Sequence, residues 1–374
     1  MDEPRDDRPR PARDHAARSR RKPPPPRPRT ARPLPADPPY QRYDRRTRRR
    51  EQSGIRPLHV LLLAILVLGL IGLSARMLTG PDDGTARAGG NGTIAAASGD
   101  APEQTEPEEP ARVMARDAPG YADGSRNVGQ QPAVGAAAYA ALDVGANQIV
   151  LARNDDERRP IASLTKMMTG LLAIEAGGMG RRVPVSEVAA GVEPNKDGLI
   201  IGNRYPRGIL LYSAMLASNN DAAAALGEDI GGSYDGFYRM MTERGRELGM
   251  TDTNYESASG LNDASNWSTA RDQAIMLARA IEVPEFVEVS GKRSHTVRWP
   301  DDGTQRTYEN HNDMLVTYPG TIAGKTGFTT IAGGCLAVAV RRGDRTIVGV
   351  VLNTTDIWGD MARLMDAAFA TKPA

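Results

Sequence analysis

Three short polar strings, far apart along the chain, constrain this sequence more than any other feature. They are Ser163-Leu164-Thr165-Lys166, Ser218-Asn219-Asn220 and Lys325-Thr326-Gly327, in that order. Each string alone recurs by chance in unrelated proteins, so none is informative by itself. Together and in this order they predict one site, and a fold of this chain must bring three distant segments to it.

Ser163 and Lys166 are predicted to be a nucleophile and its base. They stand three residues apart at the predicted start of a helix, so their side chains share one face. A serine hydroxyl is a weak nucleophile until a nearby base removes its proton. The histidines of the globular part, His295 and His311, are badly placed for a conventional triad. A lysine can act as the base where burial and a neighbouring cation lower its pKa, and Lys325 could supply that cation.

The second and third strings offer polar groups to a bound peptide. Between two apolar helical stretches, the Ser218 hydroxyl would relay a proton between a leaving amine and the lysines, and the Asn220 amide would hold the substrate. Polar residues at such a junction also serve as caps or turn formers, which is the alternative for the isolated string. On an edge strand, Lys325 and Thr326 could line the pocket, and Gly327 would let the substrate backbone approach closely.

The N-terminal part is predicted to hold a basic arm and a membrane span. Residues 1–54 are rich in Arg and Pro and cannot bury enough apolar surface to fold alone, so we predict a disordered arm. The 18 residues from Leu58 to Ala75 carry no full charge at neutral pH. That is close to the length that crosses a bilayer as a helix. We therefore predict a transmembrane signal anchor over residues 55–78.

The charges around this span predict its orientation. Arginines cluster before it and only Arg76 follows closely, which favours a single-pass protein with a cytoplasmic N-terminus and an extracytoplasmic remainder. A cleaved signal peptide is the alternative, because Ala86-Arg87-Ala88 resembles a cleavage site, although it lies far from the apolar core. The arm directly precedes the span, so we expect a membrane and no nucleic acid as its partner.

The rest of the chain divides into a linker and a globular domain. Residues 79–130 are rich in Gly, Ala, Pro, Asp and Glu and predict a disordered extracytoplasmic linker. Residues 131–374 have a globular pattern and contain the three strings. Cys335 is the only cysteine, which excludes an intramolecular disulfide, and no Cys/His pattern indicates a metal site. We expect neither a metal nor a cofactor.

The pattern of the globular part predicts an α/β fold of the α+β type. Strands over 136–142 and 148–153 come first, and strands over 333–340 and 346–352 come last, before a helix over 358–370. The segment between them is mostly helical. This order predicts a sheet whose first and last strands are neighbours, with a helical subdomain inserted between them.

The surroundings of the three strings resemble the low-molecular-mass D-alanyl-D-alanine carboxypeptidases, a class of penicillin-binding proteins. The resemblance covers about residues 131–370. The matching strings are Ala162-Ser-Leu-Thr-Lys-Met-Met-Thr169, Ser218-Asn-Asn-Asp-Ala222, Ser259-Gly-Leu261, Ser268-Thr-Ala-Arg-Asp272, Asn310-His-Asn312 and Gly324-Lys-Thr-Gly-Phe-Thr329.

This resemblance implies a fold, an activity and partners. The fold is that of penicillin-binding proteins and β-lactamases, a five-stranded antiparallel sheet flanked by helices with a helical subdomain. The implied substrate is a peptidoglycan pentapeptide ending in D-Ala-D-Ala, and β-lactam antibiotics would be acylating inhibitors. Because the chain ends soon after the last helix, the C-terminal β-rich domain of some relatives is expected to be absent, and the N-terminal span would replace their amphipathic anchor.

The resemblance also implies a role for each site residue. Ser163 is the nucleophile and Lys166 the base. Ser218 is the relay and Asn220 a substrate ligand. Lys325 and Thr326 anchor the terminal carboxylate, and the N–H of Ser163 with one from residues 327–329 would hold the oxyanion.

Three places bear on alternatives to this reading. Just before the Ser268-Thr-Ala-Arg-Asp272 string, relatives commonly carry an aromatic residue, often after His. This chain has Asn266-Trp267 there. Some relatives carry a carboxylate-binding arginine near the start of the last helix. This chain has Asp360 at that position, with Arg363 one turn later. The region Glu256–Asn262 lacks the spacing of the deacylating glutamate in class A β-lactamases. A serine β-lactamase and a weakly active penicillin-binding, wall-associated scaffold protein are the alternatives.

Overall fold

The computed structural model describes residues 131–261 and 264–373. The predicted arm, membrane span and linker of residues 1–130 lie outside the described residues. Within the described ranges, no helix combines the length and the apolar character needed to cross a bilayer.

Strands and helices alternate irregularly along the described chain. In chain order they are β1 (Ala138–Asp143), β2 (Gln148–Arg153), β3 (Arg159–Pro160), a 3-10 turn (Ala162–Thr165), α1 (Lys166–Ala176), β4 (Arg182–Pro184), α2 (Glu187–Gly191), β5 (Arg204–Pro206), α3 (Arg207–Met215), α4 (Asn220–Gly231), α5 (Tyr234–Glu247), β6 (Trp267–Ser268), α6 (Ala270–Ala280), α7 (Pro284–Ser290), β7 (Ser294–Arg298), β8 (Gln305–Glu309), α8 (Met314–Thr317), β9 (Thr321–Thr329), β10 (Gly333–Arg342), β11 (Arg345–Thr354) and α9 (Ile357–Ala370).

A five-stranded antiparallel sheet in the order β2-β1-β11-β10-β9 organises the domain. The first strand pairs with the last, with Ala138 opposite Leu352 and Asp143 opposite Ile347. The predicted neighbourhood of the first and last strands is therefore confirmed. Strand β9, which carries the Lys-Thr-Gly string, is an edge strand, as the sequence interpretation required.

Both faces of this sheet are covered by helices. On β11, Val348 and Val350 belong to the main hydrophobic core, together with residues of α6. Gly349 between them points the other way, because a Cβ there would lie 2.6 Å from the Sδ of Met365 on α9. The alternation of side chains along a strand therefore packs β11 between the two helices. Apart from α6, which packs on the sheet, the helices inserted between β2 and β9 form the predicted helical subdomain.

Two glycines allow neighbouring segments to pack against the turn that carries Ser163. A Cβ on Gly260, which has a φ of +87°, would lie 1.9 Å from the carbonyl oxygen of Ala162. A Cβ on Gly327 of β9 would lie 3.0 Å from the backbone nitrogen of Ser163. These close approaches place the turn between β9 and the loop that contains Gly260.

We predict that Gly260→Ala destabilises the protein by at least about 2 kcal/mol, since it combines a left-handed backbone with a steric clash. The free energy of unfolding in urea measures the effect. Gly202→Ala is the matched control, because Gly202 has a φ of +82° and a Cβ there would meet no atom within 4 Å. Equal losses in the two variants would show that the contact with Ala162 is unimportant.

Candidate active site

Ser163 and Lys166 meet where the 3-10 turn becomes helix α1. Ser163 lies within the turn, and Lys166 is the first residue of α1. The Nζ of Lys166 donates a hydrogen bond to the Oγ of Ser163 at 3.0 Å. Lys166 has no exposed surface. The sequence predicted this pair on one face of one turn, and the structure brings the two side chains into contact.

Lys166 also binds two groups from distant parts of the chain. Its Nζ donates to the Oδ1 of Asn220 at 2.7 Å and to the carbonyl oxygen of Ser259 at 2.9 Å. Both of these oxygens can only accept hydrogen bonds. A neutral lysine has two N–H groups and one lone pair. In the neutral form the two acceptors therefore use both N–H groups, and the contact with Ser163 reverses, so that the hydroxyl of Ser163 donates to the lone pair of Lys166.

The second lysine lies across the same site, on the edge strand. The Nζ of Lys325 donates to the Oγ of Ser218 at 3.1 Å and to the carbonyl oxygen of Thr326 at 3.1 Å. Lys325 is 2% exposed. Ser218 has a φ of +60° in the turn that leads into α4, whose first residue is Asn220. All three predicted strings thus contribute to one site.

Burial makes both lysines easier to deprotonate. It lowers the pKa of Lys166 well below the usual lysine value, and the positive charge of Lys325 lowers it further, against an opposing effect of Asp221. Burial also lowers the pKa of Lys325 to about 7. The site can therefore hold one neutral lysine and one charged lysine near neutral pH.

The remaining residues of the Lys-Thr-Gly string lie on the same edge strand. Thr326 follows Lys325 and is partly exposed. Gly327 allows the close approach of the Ser163 turn, a role that the sequence did not indicate. Its predicted contact with the substrate backbone stays a prediction.

The side chain of Arg363 binds two nearby carboxylates. Its guanidinium donates to the Oδ2 of Asp356 at 3.1 Å and to the Oδ1 of Asp360. Asp360 is buried, where it also accepts hydrogen bonds from the backbone N–H of Gly135 and the hydroxyl of Thr354. These contacts make Arg363 a partner of Asp356 and Asp360 in the closing helix.

Two further residues, His311 and Asn266, were given no site role from the sequence. Burial, Lys325 and Lys166 together lower the pKa of His311 to about 4, so its imidazole is neutral at neutral pH. Asn266 donates from Nδ2 to the Oγ1 of Thr165 at 2.8 Å and so braces the turn that carries Ser163. The sequence held a weak signal for both residues. His311 lies in the matching string Asn310-His-Asn312, and Asn266 lies at a position where the chain differs from its relatives.

The side chain of Glu256, the carboxylate closest in sequence to the expected deacylating position, makes its hydrogen bond to Asn254, outside this cluster. It is exposed, and its Oε1 accepts a hydrogen bond from Asn254 at 3.4 Å. Its backbone N–H donates to Asn266 at 3.2 Å. The hydrogen bonds that Glu256 makes are thus with Asn254 and Asn266 rather than with Ser163 or Lys166.

Comparison with known proteins agrees with this geometry. A family model described as D-alanyl-D-alanine carboxypeptidase matches residues 125–356. The chain is 29% identical over 233 residues to the D-alanyl-D-alanine carboxypeptidase DacF of Bacillus subtilis, covering 60% of this chain and 59% of that protein. It is 29% identical over 239 residues to DacB2 of Mycobacterium tuberculosis, covering 62% of this chain and 81% of that protein.

A solved structure shares the fold. The crystal structure of a D-alanyl-D-alanine carboxypeptidase from Mycobacterium tuberculosis superposes with a TM-score of 0.61 at 28% identity, covering 65% of this chain and 97% of that one. The chain thus spans less than two thirds of the Bacillus relative and nearly all of the solved Mycobacterium chain. The five-stranded sheet, the helical subdomain and the match over residues 125–356 lead to one conclusion: this chain belongs to the D-alanyl-D-alanine carboxypeptidase family of serine peptidases.

Proposed function

We propose that this enzyme removes the terminal D-alanine of peptidoglycan stem peptides ending in D-Ala-D-Ala, through an acyl-enzyme on Ser163. The observation that carries the proposal is the contact of Lys166 with Ser163 at 3.0 Å, with two further acceptors on the same nitrogen. That arrangement supplies a nucleophile and a base without a histidine.

The first half of the reaction forms the ester. The Oγ of Ser163 attacks the carbonyl carbon of the penultimate D-alanine while its proton passes to the lone pair of Lys166. The carbon–nitrogen bond then breaks, and the leaving amine receives a proton from the lysines through the hydroxyl of Ser218. Water hydrolyses the resulting ester, which returns the hydroxyl of Ser163 and releases the shortened peptide.

Lys325 would bind the free carboxylate of the substrate, with help from Thr326. A carboxylate beside a buried ammonium group stabilises its charged form, so binding would raise the pKa of Lys325 above its value of about 7 in the free enzyme. The oxyanion would lie between the N–H of Ser163 and one from residues 327–329, beside the helix start.

Membrane attachment is a separate part of the proposal. The apolar stretch over residues 58–75 and the arginines before it support a single-pass anchor with an extracytoplasmic catalytic domain. The proposed substrate lies in the cell wall, so the catalytic domain must lie on the extracytoplasmic side of the membrane to reach it.

We predict that the wild-type chain converts a synthetic pentapeptide ending in D-Ala-D-Ala to the tetrapeptide and D-alanine, as seen by mass spectrometry. Ser163→Ala should abolish both this reaction and labelling by a fluorescent penicillin, because it removes the nucleophile. Lys166→Ala should slow acylation by about 10²–10⁴-fold, the usual contribution of a general base.

Two outcomes would contradict this assignment. Labelling of folded Ser163→Ala protein would exclude Ser163 as the nucleophile. Loss of the penicillin label within seconds after a chase with unlabelled antibiotic would favour a serine β-lactamase.

We predict a bell-shaped dependence of kcat/KM on pH. Acid protonates Lys166 and removes the base, whereas alkali deprotonates Lys325, whose pKa is about 7, and removes the carboxylate anchor. The two apparent values belong to the coupled pair. Lys325→Arg keeps its charge at alkaline pH, so the alkaline limb should move beyond the measured range. An unchanged alkaline limb in Lys325→Arg would refute this origin.

We predict that amidation of the peptide's C-terminus lowers kcat/KM by about 10–150-fold, because it removes a charge-assisted hydrogen bond worth about 1.5–3 kcal/mol. Thr326→Val should reduce the preference for acid over amide. Arg363→Ala is the matched control, and it should leave the preference unchanged because its guanidinium already binds Asp356 and Asp360. Equal rates on acid and amide with unmodified enzyme would argue for an endopeptidase.

We predict that a reporter active only outside the cytoplasm is active when fused after residue 130, whereas a cytoplasm-only reporter there is silent. Moving the arginines that precede residues 55–78 to the other side should weaken this orientation. N-terminal sequencing of the membrane-extracted protein distinguishes an anchor from a cleaved signal. A mature N-terminus at Gly89 would contradict the anchor.

A further inference from the structure

A loop of the helical subdomain wraps around the turn that carries Ser218. The Nδ2 of Asn195 donates to the carbonyl oxygens of Ala217 at 3.0 Å and Ser218 at 2.8 Å. In return, the carbonyl oxygen of Asn195 accepts the backbone N–H of Asn220 at 2.8 Å. One residue thus binds both ends of the Ser-Asn-Asn string.

We propose that Asn195 is a positioning residue that holds the hydroxyl of Ser218 in reach of Lys325. Ser218 has a φ of +60°, a left-handed conformation that is uncommon for residues other than glycine. Its hydroxyl accepts a hydrogen bond from Lys325 at 3.1 Å in that conformation. The two bonds from Asn195 stabilise the backbone on which this contact depends.

Other contacts hold the loop in place independently of the Asn195 side chain. The buried carboxylate of Asp221 accepts the backbone N–H groups of Asp197 at 2.9 Å, Gly198 at 2.9 Å and Leu199 at 3.1 Å. The Nδ2 of Asn220 donates to the carbonyl oxygen of Pro194 on the same loop. Removal of the Asn195 side chain should therefore leave the loop docked and affect mainly the Ser218 turn.

The expected effect of removing the Asn195 side chain on catalysis rests on the proposed function, in which Ser218 delivers a proton to the leaving amine. An amine must be protonated as the carbon–nitrogen bond breaks, whereas a thiolate leaves without a proton. Misplacing the Ser218 hydroxyl should therefore slow hydrolysis of a peptide much more than hydrolysis of a thioester with the same acyl group. A purely structural role would lower both rates in proportion.

The test compares these two substrates in Asn195→Gly. Asn195 has a φ of +60°, which glycine adopts without steric cost, so this variant removes the side chain and keeps the backbone. Because the leaving group matters only while the acyl-enzyme forms, the measurement is kcat/KM, which reports that step. We expect kcat/KM on the peptide to fall at least about 10-fold, while kcat/KM on the thioester changes less than about 3-fold. Asn203→Gly, which removes a side-chain hydrogen bond to Asp301 and none to the Ser218 turn, is the control and should change neither rate.

The possible outcomes separate this inference from the proposed function. Proportional loss on both substrates, or no loss on either, would overturn the role of Asn195. Should Asn195→Gly fail to fold, Asn195→Asp keeps the shape without the N–H donors, and the same selective loss is expected. Failure of the wild-type enzyme to cleave the peptide would instead count against the proposed function. Thioester hydrolysis that survives Ser163→Ala would do the same.

Discussion

The side-chain nitrogen of Lys166 connects three parts of the chain that are far apart in sequence. It binds the Ser163 turn, the start of α4 at Asn220 and the loop at Ser259. An isolated ammonium group without exposed surface is very costly, and deprotonation is the usual escape. In the proposed mechanism, deprotonation also produces the base that Ser163 needs. Burial of the Lys166 amine depends on contacts from three distant segments. In the proposed mechanism the same burial makes Lys166 a base.

The second buried lysine makes the site costly to maintain. Because the pKa of Lys325 is about 7 in the folded protein and 10.5 in its ordinary state, the unfolded chain binds more protons between these values. Stability contributed by this group therefore rises with pH across that window and is reduced below it. Burial of the Lys325 amine thus lowers the stability of the folded protein, because this group is more stable when it is exposed and charged. Groups with shifted pKa values of this kind often lie in catalytic sites. A substrate carboxylate would offset this cost by restoring a partner to the charge.

The sequence predicted those features whose signal lies in side-chain chemistry or in strand periodicity. Ser163, Lys166 and Lys325 could be singled out because their residue types and spacing suggest a reaction, and the pairing of the outer strands followed from element order. The carbonyl of Ser259 could not be predicted, because a backbone oxygen has no residue signature. Asn195 was missed because its partners are backbone atoms in another segment.

Local geometry was harder to predict than element type. The helix expected from Ser163 begins as a 3-10 turn, and only Lys166 starts the α-helix. Strands β7 and β8 were missed as well, since their exposed charged residues lack a clear apolar alternation. In both cases tertiary packing decides the conformation, which local propensity does not encode.

The pairing of β1 with β11 governs when the protein can acquire its fold. Strand β11, which follows the other ten described strands in sequence, occupies the middle of the sheet, between β1 and β10. Until residues 345–354 have emerged, the β1–β2 hairpin has no partner on its inner edge, and closing so long a loop is slow. A partly synthesised chain already contains Ser163 and Lys166 but lacks the sheet against which their turn packs. The order of the strands thus delays assembly of the Ser163 site until nearly all of the domain is present.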